Sequence, residues 1–586
     1  MNIIGISAFY HDSACCIIKD GRLISAVQEE RFTRIKNDPS LPVNSFKHCL
    51  KESKLSIEDI DCVAYYENPI KKLSRQLWSG FDYFDPGLKE KMDPRRPEIA
   101  IREKLGYEGE IKFIDHHMSH AASSFHYSGF DRAAIFTVDG VGEWATTTYG
   151  VGKENGIEIF EEVNFPNSLG LLYSTITNYL GFKVNNGEYK VMGLAPYGRP
   201  IYVNHLKDVI TSSNEGQYRL NMDYFDFTKG GQMFTEELVD LLGKAPRERE
   251  SELLQYHKDI AKSLQVITQD LLLEKANYLQ AKTGEENLCM AGGVALNCVA
   301  NGHIIRNSSF KNLFVQPASN DAGGALGAAA AAYTELTGKK IEPSPMKTAF
   351  YGSGYSAKQV DSIIKESPFK SKYFKGRKED LLKATAELIA AGKVIGWFQG
   401  KTEFGPRALG ARSILGDPRN PDMRSIINQK VKKREGFRPF APVILEEKAE
   451  IYFDLDHPSP FMLETCQVHK IHDLPSITHV DGSARVQTVN RKYSPLFAEL
   501  LDAFEALTGC PILLNTSFNV RGEPIVNSPS DAIACFVNAD LDALIIEESI
   551  IEREEETIEV FKNLQIPFLI MADREIEMDR GIYTFI

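Results

Sequence analysis

The stretch that decides the fold is AAIFTVDGVGEWATTTYGVGKENGIEIFEEV, residues 133–163. It opens on an apolar strand, breaks at a Gly-rich turn over Asp139–Gly142, and continues as two more strands. The N-terminus carries the same phrase in other letters. IIGISAF at 3–9 leads into SACCIIKDGRLISAVQEE at 13–30, where Asp20-Gly21 separates two β-rich runs. Asp-Gly in that setting predicts a tight hairpin. Two sheet-opening units of one design predict an internally duplicated α/β protein. Helical patterns follow each unit, at Val43–Ser53 and Glu252–Lys282. The strands ENLCMAGG and NLFVQP, each running into a helix, complete the second half.

The chain has 586 residues, and length alone suggests roughly three to four domain-sized units. A seam over Gly338–Ser356, rich in Gly, Pro, Ser and Lys, divides it instead into two large parts, 1–345 and 355–586. Beyond the seam, Asp380–Ala391 reads as a helix and KVIGWFQ as a strand. The tail after Glu547 alternates acidic and apolar residues and receives no role. A net charge of −13 argues against broad nucleic-acid binding, which depends on neutralising phosphates. The most apolar tract, Gly323–Tyr333, is too short to span a bilayer and reads as a packed helix. The nine cysteines form no CxxC pair, and several sit in apolar runs. Buried reduced thiols and an N-terminus without a leader are the expectation for a soluble cytoplasmic protein.

The chemistry of the first part gathers around DHHMSHAASSFH, residues 115–126. His116 and His120 are four apart, which on a helix puts both imidazoles on one face. That spacing alone leaves a metal site and two ordinary polar positions equally open. Asp139 at a strand end and Asp321 at a helix start raise the odds, because such ends face the cleft of an α/β fold. Two histidines and two aspartates suit iron, manganese or zinc. The competing assignments are a turn for Asp139 and an N-cap for Asp321. Gly292 and Gly293 in CMAGGVALN, with Asn297 after them, allow close approach of a nucleotide or simply a tight connection. NNGEYKVMGLAPYG, 185–198, reads as a polar loop. His11, in the first turn, is a candidate general base.

In the second part, nine basic residues face three acidic ones between Arg407 and Arg438. Rigid Gly/Pro turns punctuate them, which favours a small phosphorylated ligand over a solvated strip. Arg485 and the polar set Asn515, Thr516, Ser517 and Asn519 add to this reading.

Together these phrases resemble the ATP-dependent O-carbamoyltransferases of the NodU/CmcH group over essentially the whole chain. The carriers are GISAFYHDSACC, QEERFTRIKND, DHHMSHAASSF, VDGVGE, NNGEYKVMGLAPYG, AGGVALN, SNDAGGALGAA, FGPRALGARSILGDPR, KKREGFRPFAPV and LLNTSFNVRGEPIV. The resemblance implies an N-terminal domain like the tRNA threonylcarbamoyl transferase, with an actin-like ATPase fold, and a C-terminal YrdC-like domain. It implies a metal, iron or another divalent ion, on His116, His120, Asp139 and Asp321. It places a nucleotide near Gly292, Gly293, Asn297, Arg407 and Arg412, and carbamoyl phosphate near Lys432, Arg434, Arg485, Asn515 and Ser517. TSFN stands where freestanding relatives have TSAN. The implied reaction joins carbamoyl phosphate and ATP, with Mg, into carbamoyl-adenylate and passes the carbamoyl group to a hydroxyl of a small-molecule acceptor, a secondary metabolite. Aromatic residues of a loop over Asn68–Pro97 are candidates to line the acceptor cleft. No membrane and no nucleic acid is expected as partner, and a homodimer is left open. The alternatives are a tRNA threonylcarbamoyl transferase, disfavoured by the acidic charge, a sugar-kinase-like or chaperone-like ATPase, and a non-enzymatic sensor.

Overall fold

A computed structural model describes residues 1–563, except 155, 228–231, 343–344 and 471–472. The chain divides into two compact units. Among the described residues, one comprises Met1–Glu29 and Asn37–Met346; the other holds Glu30–Lys36 and the chain from Lys347 to residue 563. The part of the tail from residue 564 onward lies outside the described residues.

The first unit is built on two five-stranded sheets of identical order. β1 (Asn2–Ser7), β2 (Ala14–Lys19), β3 (Arg22–Gln28), β4 (Cys62–Tyr65) and β5 (Glu110–Phe113) are arranged β3-β2-β1-β4-β5. β6 (Ala133–Val138), β7 (Ala145–Lys153) and β8 (Gly156–Asn164) repeat the antiparallel opening. A small hairpin, β9 (Ile210–Ser212) and β10 (Tyr218–Leu220), stands apart. β11 (Asn287–Ala291) and β12 (Asn312–Val315) then complete the order β8-β7-β6-β11-β12. In both sheets the first three strands pair antiparallel and the last two join in parallel. This is the duplicated α/β architecture of the actin-like type. Asp20 and Gly21 both take positive φ, as a two-residue hairpin turn requires.

The Asp321–Thr337 helix is the keystone of the unit. Its Gly/Ala sequence removes the side-chain bulk that separates most helices. A Cβ on Gly327 would stand 1.7 Å from the Ser119 carbonyl oxygen, and one on Gly5 of β1 would stand 1.9 Å from that of Ala325. The helix therefore touches the His116–Ser128 helix and β1 backbone to backbone.

The second unit has a mixed eight-stranded sheet. Its strands are β13 (Lys372–Tyr373), β14 (Ile395–Phe398), β15 (Arg412–Gly416), β16 (Ala441–Leu445), β19 (Gln487–Val489), β20 (Ile512–Ser517), β21 (Ala543–Ile546) and β22 (Ser549–Glu552), in the order β13-β22-β21-β14-β15-β20-β16-β19. A minor pair, β17 (Cys466–Gln467) and β18 (Ser483–Ala484), lies outside it. The Lys378–Ala390 and Pro495–Thr508 helices cover the sheet, around fully buried Trp397. Segment Glu30–Lys36 is anchored here: Arg31 donates to the Gly405 carbonyl, and Arg34 donates to those of Pro524 and Ile525.

Two loop assignments are corrected. Within 185–198, Glu188–Leu194 is a helix. Within 68–97, Pro69–Trp78 and Pro86–Met92 are helices, each with proline at the first position after an Asn68 or Asp85 cap. Trp78 and Phe84 are exposed there. All nine cysteines are buried free thiols. No described helix is long and apolar enough to cross a membrane.

Candidate functional site

His116 begins a helix, His116–Ser128, and His120 follows one turn on. Asp139 comes directly after β6. Asp321 is the first residue of its helix, with Asn320 in the cap position, so the N-cap assignment for Asp321 falls. Topology brings the four together. His116 Nε2 and His120 Nε2 lie 3.1 Å apart, and Asp139 Oδ2 stands 3.0 and 3.2 Å from them. Asp321 Oδ1 is 3.9 and 3.7 Å from the same nitrogens. One donor atom from each residue falls within 4.8 Å of all the others.

The donor set is one that could hold a cation. Asp321 is 1 % exposed, and neither carboxylate oxygen has a hydrogen-bond partner in the structure. A buried carboxylate so placed costs several kcal/mol unless a cation faces it, of order 2–4 kcal/mol here. Two imidazoles and two carboxylates match the preferences of iron, manganese or zinc. Without an ion the His120 imidazole serves as the cation itself. Burial works against this at His120, but Asp139 and Asp321 outweigh it and push the ring up to about 9. Asp139, despite burial, is held well below the usual carboxylate range by His116 and His120.

The surrounding groups aim the donors. Asp139 Oδ1 accepts the Gly293 amide at 2.9 Å. That amide is available because Gly292 adopts φ +97°, where a Cβ would stand 2.2 Å from the Val138 carbonyl oxygen. Glu143 Oε1 accepts the amides of His116, at 2.9 Å, and Asn68, at 2.6 Å, so one carboxylate fixes the start of the histidine helix. His117 turns away and meets Thr137 Oγ1 at 2.6 Å. His11 lies in the β1–β2 turn beside Asp12, 2.9 Å from it. Asn297 exchanges two hydrogen bonds with Gln265 and caps the Cys298–Asn307 helix.

In the second unit Lys432 is 2 % exposed. Its ammonium donates to the carbonyl of Ser517, to Ser517 Oγ at 3.3 Å, and to Asn519 O and Oδ1 at 2.9 and 2.7 Å. All are neutral oxygens. Burial, then Arg434, holds its pKa well below the usual lysine value, with Lys36 and Arg438 adding to the effect. A buried ammonium ringed by cations is a place for an anion. Arg434 donates to Asn428 Oδ1 and lies over Phe440. Arg407 is half-buried. Asn515 donates to Gln487 Oε1 and the Ala408 carbonyl, leaving its own Oδ1 buried and unpaired. Arg485 is half-buried after β18.

Arg412 requires a correction. It is fully buried, stacks on Phe398 at 3.5 Å, and donates to the carbonyls of Gln399, Gly400, Ala411 and Ser353. Its guanidinium is thereby committed to holding the main chain, so it is withdrawn as a nucleotide contact.

With this geometry the comparisons can be placed. Residues 2–330 match the model of the carbamoyltransferase N-terminus, and residues 386–553 match that of the carbamoyltransferase C-terminus. The chain belongs to the carbamoyltransferase family. An uncharacterized protein of Synechocystis sp., sll1178, is 44% identical over 594 residues, covering 94% of this chain and 97% of its own. Nodulation protein NolNO of Sinorhizobium fredii is 38% identical over 575 residues, covering 96% of this chain and 82% of its own. Nodulation protein NolO of Bradyrhizobium diazoefficiens is 40% identical over 441 residues, 74% of this chain and 78% of its own. Among solved structures, full-length HypF in its phosphate- and nucleotide-bound form is similar at TM-score 0.31 and 14% identity, over 58% of this chain and 56% of its own. A ROK hexokinase from Thermus thermophilus is similar at TM-score 0.30 and 13% identity, over 58% of this chain and all of its own. These last two likenesses are too distant to bear on the site.

Sequence reading missed Glu143 and Gln265 as participants in this family member's sites. VDGVGE displays Glu143 openly, but nothing in the spacing says that its carboxylate turns back onto the His116 amide.

Proposed function

We propose that the chain is an O-carbamoyltransferase that works through carbamoyl-adenylate and delivers the carbamoyl group to a hydroxyl of a small-molecule acceptor. Convergence of His116, His120, Asp139 and Asp321 on one point is the observation that carries this reading. Family membership supports the group transferred.

The first half-reaction is assigned to the second unit. Carbamoyl phosphate and ATP, with Mg, give carbamoyl-adenylate, pyrophosphate and phosphate; balance requires one water. Lys432, with Arg434 near it, holds the phosphate of carbamoyl phosphate, while Ser517 and Asn519 orient the lysine. Arg407 and Arg485 are the further cationic groups available to the polyphosphate. Positive charge set in place beforehand stabilises the oxyanions as bonds break.

The second half-reaction is assigned to the first unit. A divalent ion, iron being the family-implied choice, would be held by His116, His120, Asp139 and Asp321 and would supply Lewis acidity toward the adenylate. Gly293 keeps Asp139 aimed. Gly292 and Gly293 leave room for the nucleotide, and Asn297 secures the helix behind them. His11, in its neutral form, takes the proton of the acceptor hydroxyl as the new C–O bond forms and AMP departs. The names of the NolNO and NolO relatives, nodulation proteins, fit a glycan or secondary-metabolite acceptor.

Pyrophosphate exchange into ATP tests the reading. Exchange that requires carbamoyl phosphate supports it. Purified protein with magnesium that shows none removes it.

A further inference from the structure

The turn between β1 and β2 is held more tightly than a connection needs. Phe9 and Asp12 both take positive φ, 71° and 56°. Such backbone is strained and persists where surrounding contacts over-determine it. Those contacts are present. The Phe9 amide donates to Pro39 O at 2.7 Å, the Ser13 amide to Asp38 O at 3.0 Å, and Tyr65 Oη to Ala8 O at 2.8 Å.

The strained turn delivers one carboxylate. Asp12 is 6 % exposed. Its Oδ2 receives His11 Nδ1 at 2.9 Å and Asn320 Nδ2 at 2.7 Å, and its Oδ1 receives Asn37 Nδ2 at 2.7 Å. An ionised carboxylate only accepts. His11 Nδ1 must therefore carry a proton. Burial works against charging the ring, but Asp321 and Asp12 push it up to about 9, and once the ring is neutral its lone pair sits on Nε2. The His11 side chain keeps 15 % of its surface open.

Asn320 supplies an independent observation. It is the N-cap of the Asp321–Thr337 helix, yet its side chain makes no capping hydrogen bond. An N-cap asparagine ordinarily accepts a first-turn amide. Here the carboxamide turns to Asp12, and its Oδ1 is left buried without a partner. A local rule broken next to a site residue is the mark of a functional constraint.

We propose that Asp12 is a positioning residue that fixes His11 with its proton on Nδ1 and its lone pair on Nε2, and that Asn320 keys this pair to the helix bearing Asp321. The use of that lone pair rests on the function proposed above. In the step, the acceptor O–H proton passes to Nε2, the acceptor oxygen bonds to the carbamoyl carbon, and the bond from that carbon to the adenylate oxygen breaks to release AMP. The arrangement itself is independent of that function.

The test reads the tautomer directly. In full-length protein labelled with ¹⁵N-histidine and supplied with zinc, a diamagnetic ion, His11 signals are assigned by their loss in His11→Gln. At a pH where the ring is neutral, wild type should show a pyrrole-type Nδ1 and a pyridine-type Nε2. Asp12→Ala should abolish that preference. Asp12→Asn should retain it through the amide oxygen but lower the pH at which the ring titrates, since a facing charge is gone. Asn320→Ala should shift the His11 signals toward a mixture. Unchanged tautomers in Asp12→Ala would overturn the assignment, and unchanged signals in Asn320→Ala would overturn the keying. If Asp12→Ala fails to fold, an unmoved titration in Asp12→Asn overturns the proposal. Carbamoyl-phosphate-dependent exchange, measured alongside, should stay within twofold of wild type in Asp12→Asn and Asn320→Ala. Its absence from wild type would count against the proposed function and leave the tautomer result standing.

Discussion

Asp321→Asn separates a metal ligand from an ordinary buried acid, because its consequence depends on whether metal is present. In the metal-free protein two terms oppose. Burying the carboxylate without hydrogen bonds costs several kcal/mol. Attraction to His120, 3.7 Å away and protonated below about 9, returns about 4 kcal/mol at an effective dielectric of 20. The terms nearly cancel, so Asn should change metal-free stability by no more than about 2 kcal/mol. With metal the balance shifts. An ion at a thousandfold excess over its Kd stabilises wild type by about 4 kcal/mol. For a large unit that is roughly 8 °C in Tm. A site with one carboxylate fewer should lose most of this. The assay is differential scanning calorimetry of both proteins in chelator and in Fe(II), Mn(II) or Zn(II), with metal content measured after gel filtration. Equal metal-induced shifts in the two proteins, or none in wild type, would refute the ligand assignment.

Lys432→Met should lower carbamoyl-phosphate-dependent exchange about a thousandfold, the worth of one cation about 4 Å from a phosphate, with the loss read as weaker phosphate binding by calorimetry. Because the folded lysine titrates below its unfolded value of about 10.4, the unfolded chain binds the extra proton between the two. Stability of the ligand-free protein from this group therefore rises with pH through that window, and pH-resolved denaturant melts of the methionine variant should lack the rise. Gly293→Ala places a Cβ 2.9 Å from Asp139 Oδ1 and should weaken metal binding at least tenfold in equilibrium dialysis, with exchange intact. Glu143→Ala strands the buried His116 amide and should cost about 1–3 kcal/mol in a melt, whereas Glu143→Gln, which keeps an acceptor oxygen, should cost less than half of that.

The duplicated sheet could be read from residues because its signals are local. An Asp-Gly turn between two β-rich runs and a Gly-rich break after AAIFTV each specify a hairpin within a few positions. The one-turn spacing of His116 and His120 likewise follows from helical geometry. That Asp139 and Asp321 join them depends on which sheet ends and helix starts share a cleft, which spacing does not encode; the motif resemblance supplied that pairing. Arg412 was misjudged because RALGAR does not say which arginine faces inward. The choice is made by four main-chain carbonyls and the Phe398 ring. The helices within 68–97 were legible in principle, since Asn68-Pro69 and Asp85-Pro86 each spell a cap followed by proline at the first position. Their exposed aromatic residues drew the reading toward a loop.

The seating of the Asp321–Thr337 helix against its neighbours reaches beyond packing. Gly327 meets Ser119 and Gly5 meets Ala325 with no side chain between, so the helix has no cushion of rotamers with which to absorb a shift. The separation of Asp321 from the two histidines is thus set by main-chain contact. If the four donors hold an ion as proposed, an engineer retuning its size would have to exchange the donor atoms themselves, since widening or narrowing the gap means rebuilding the interior.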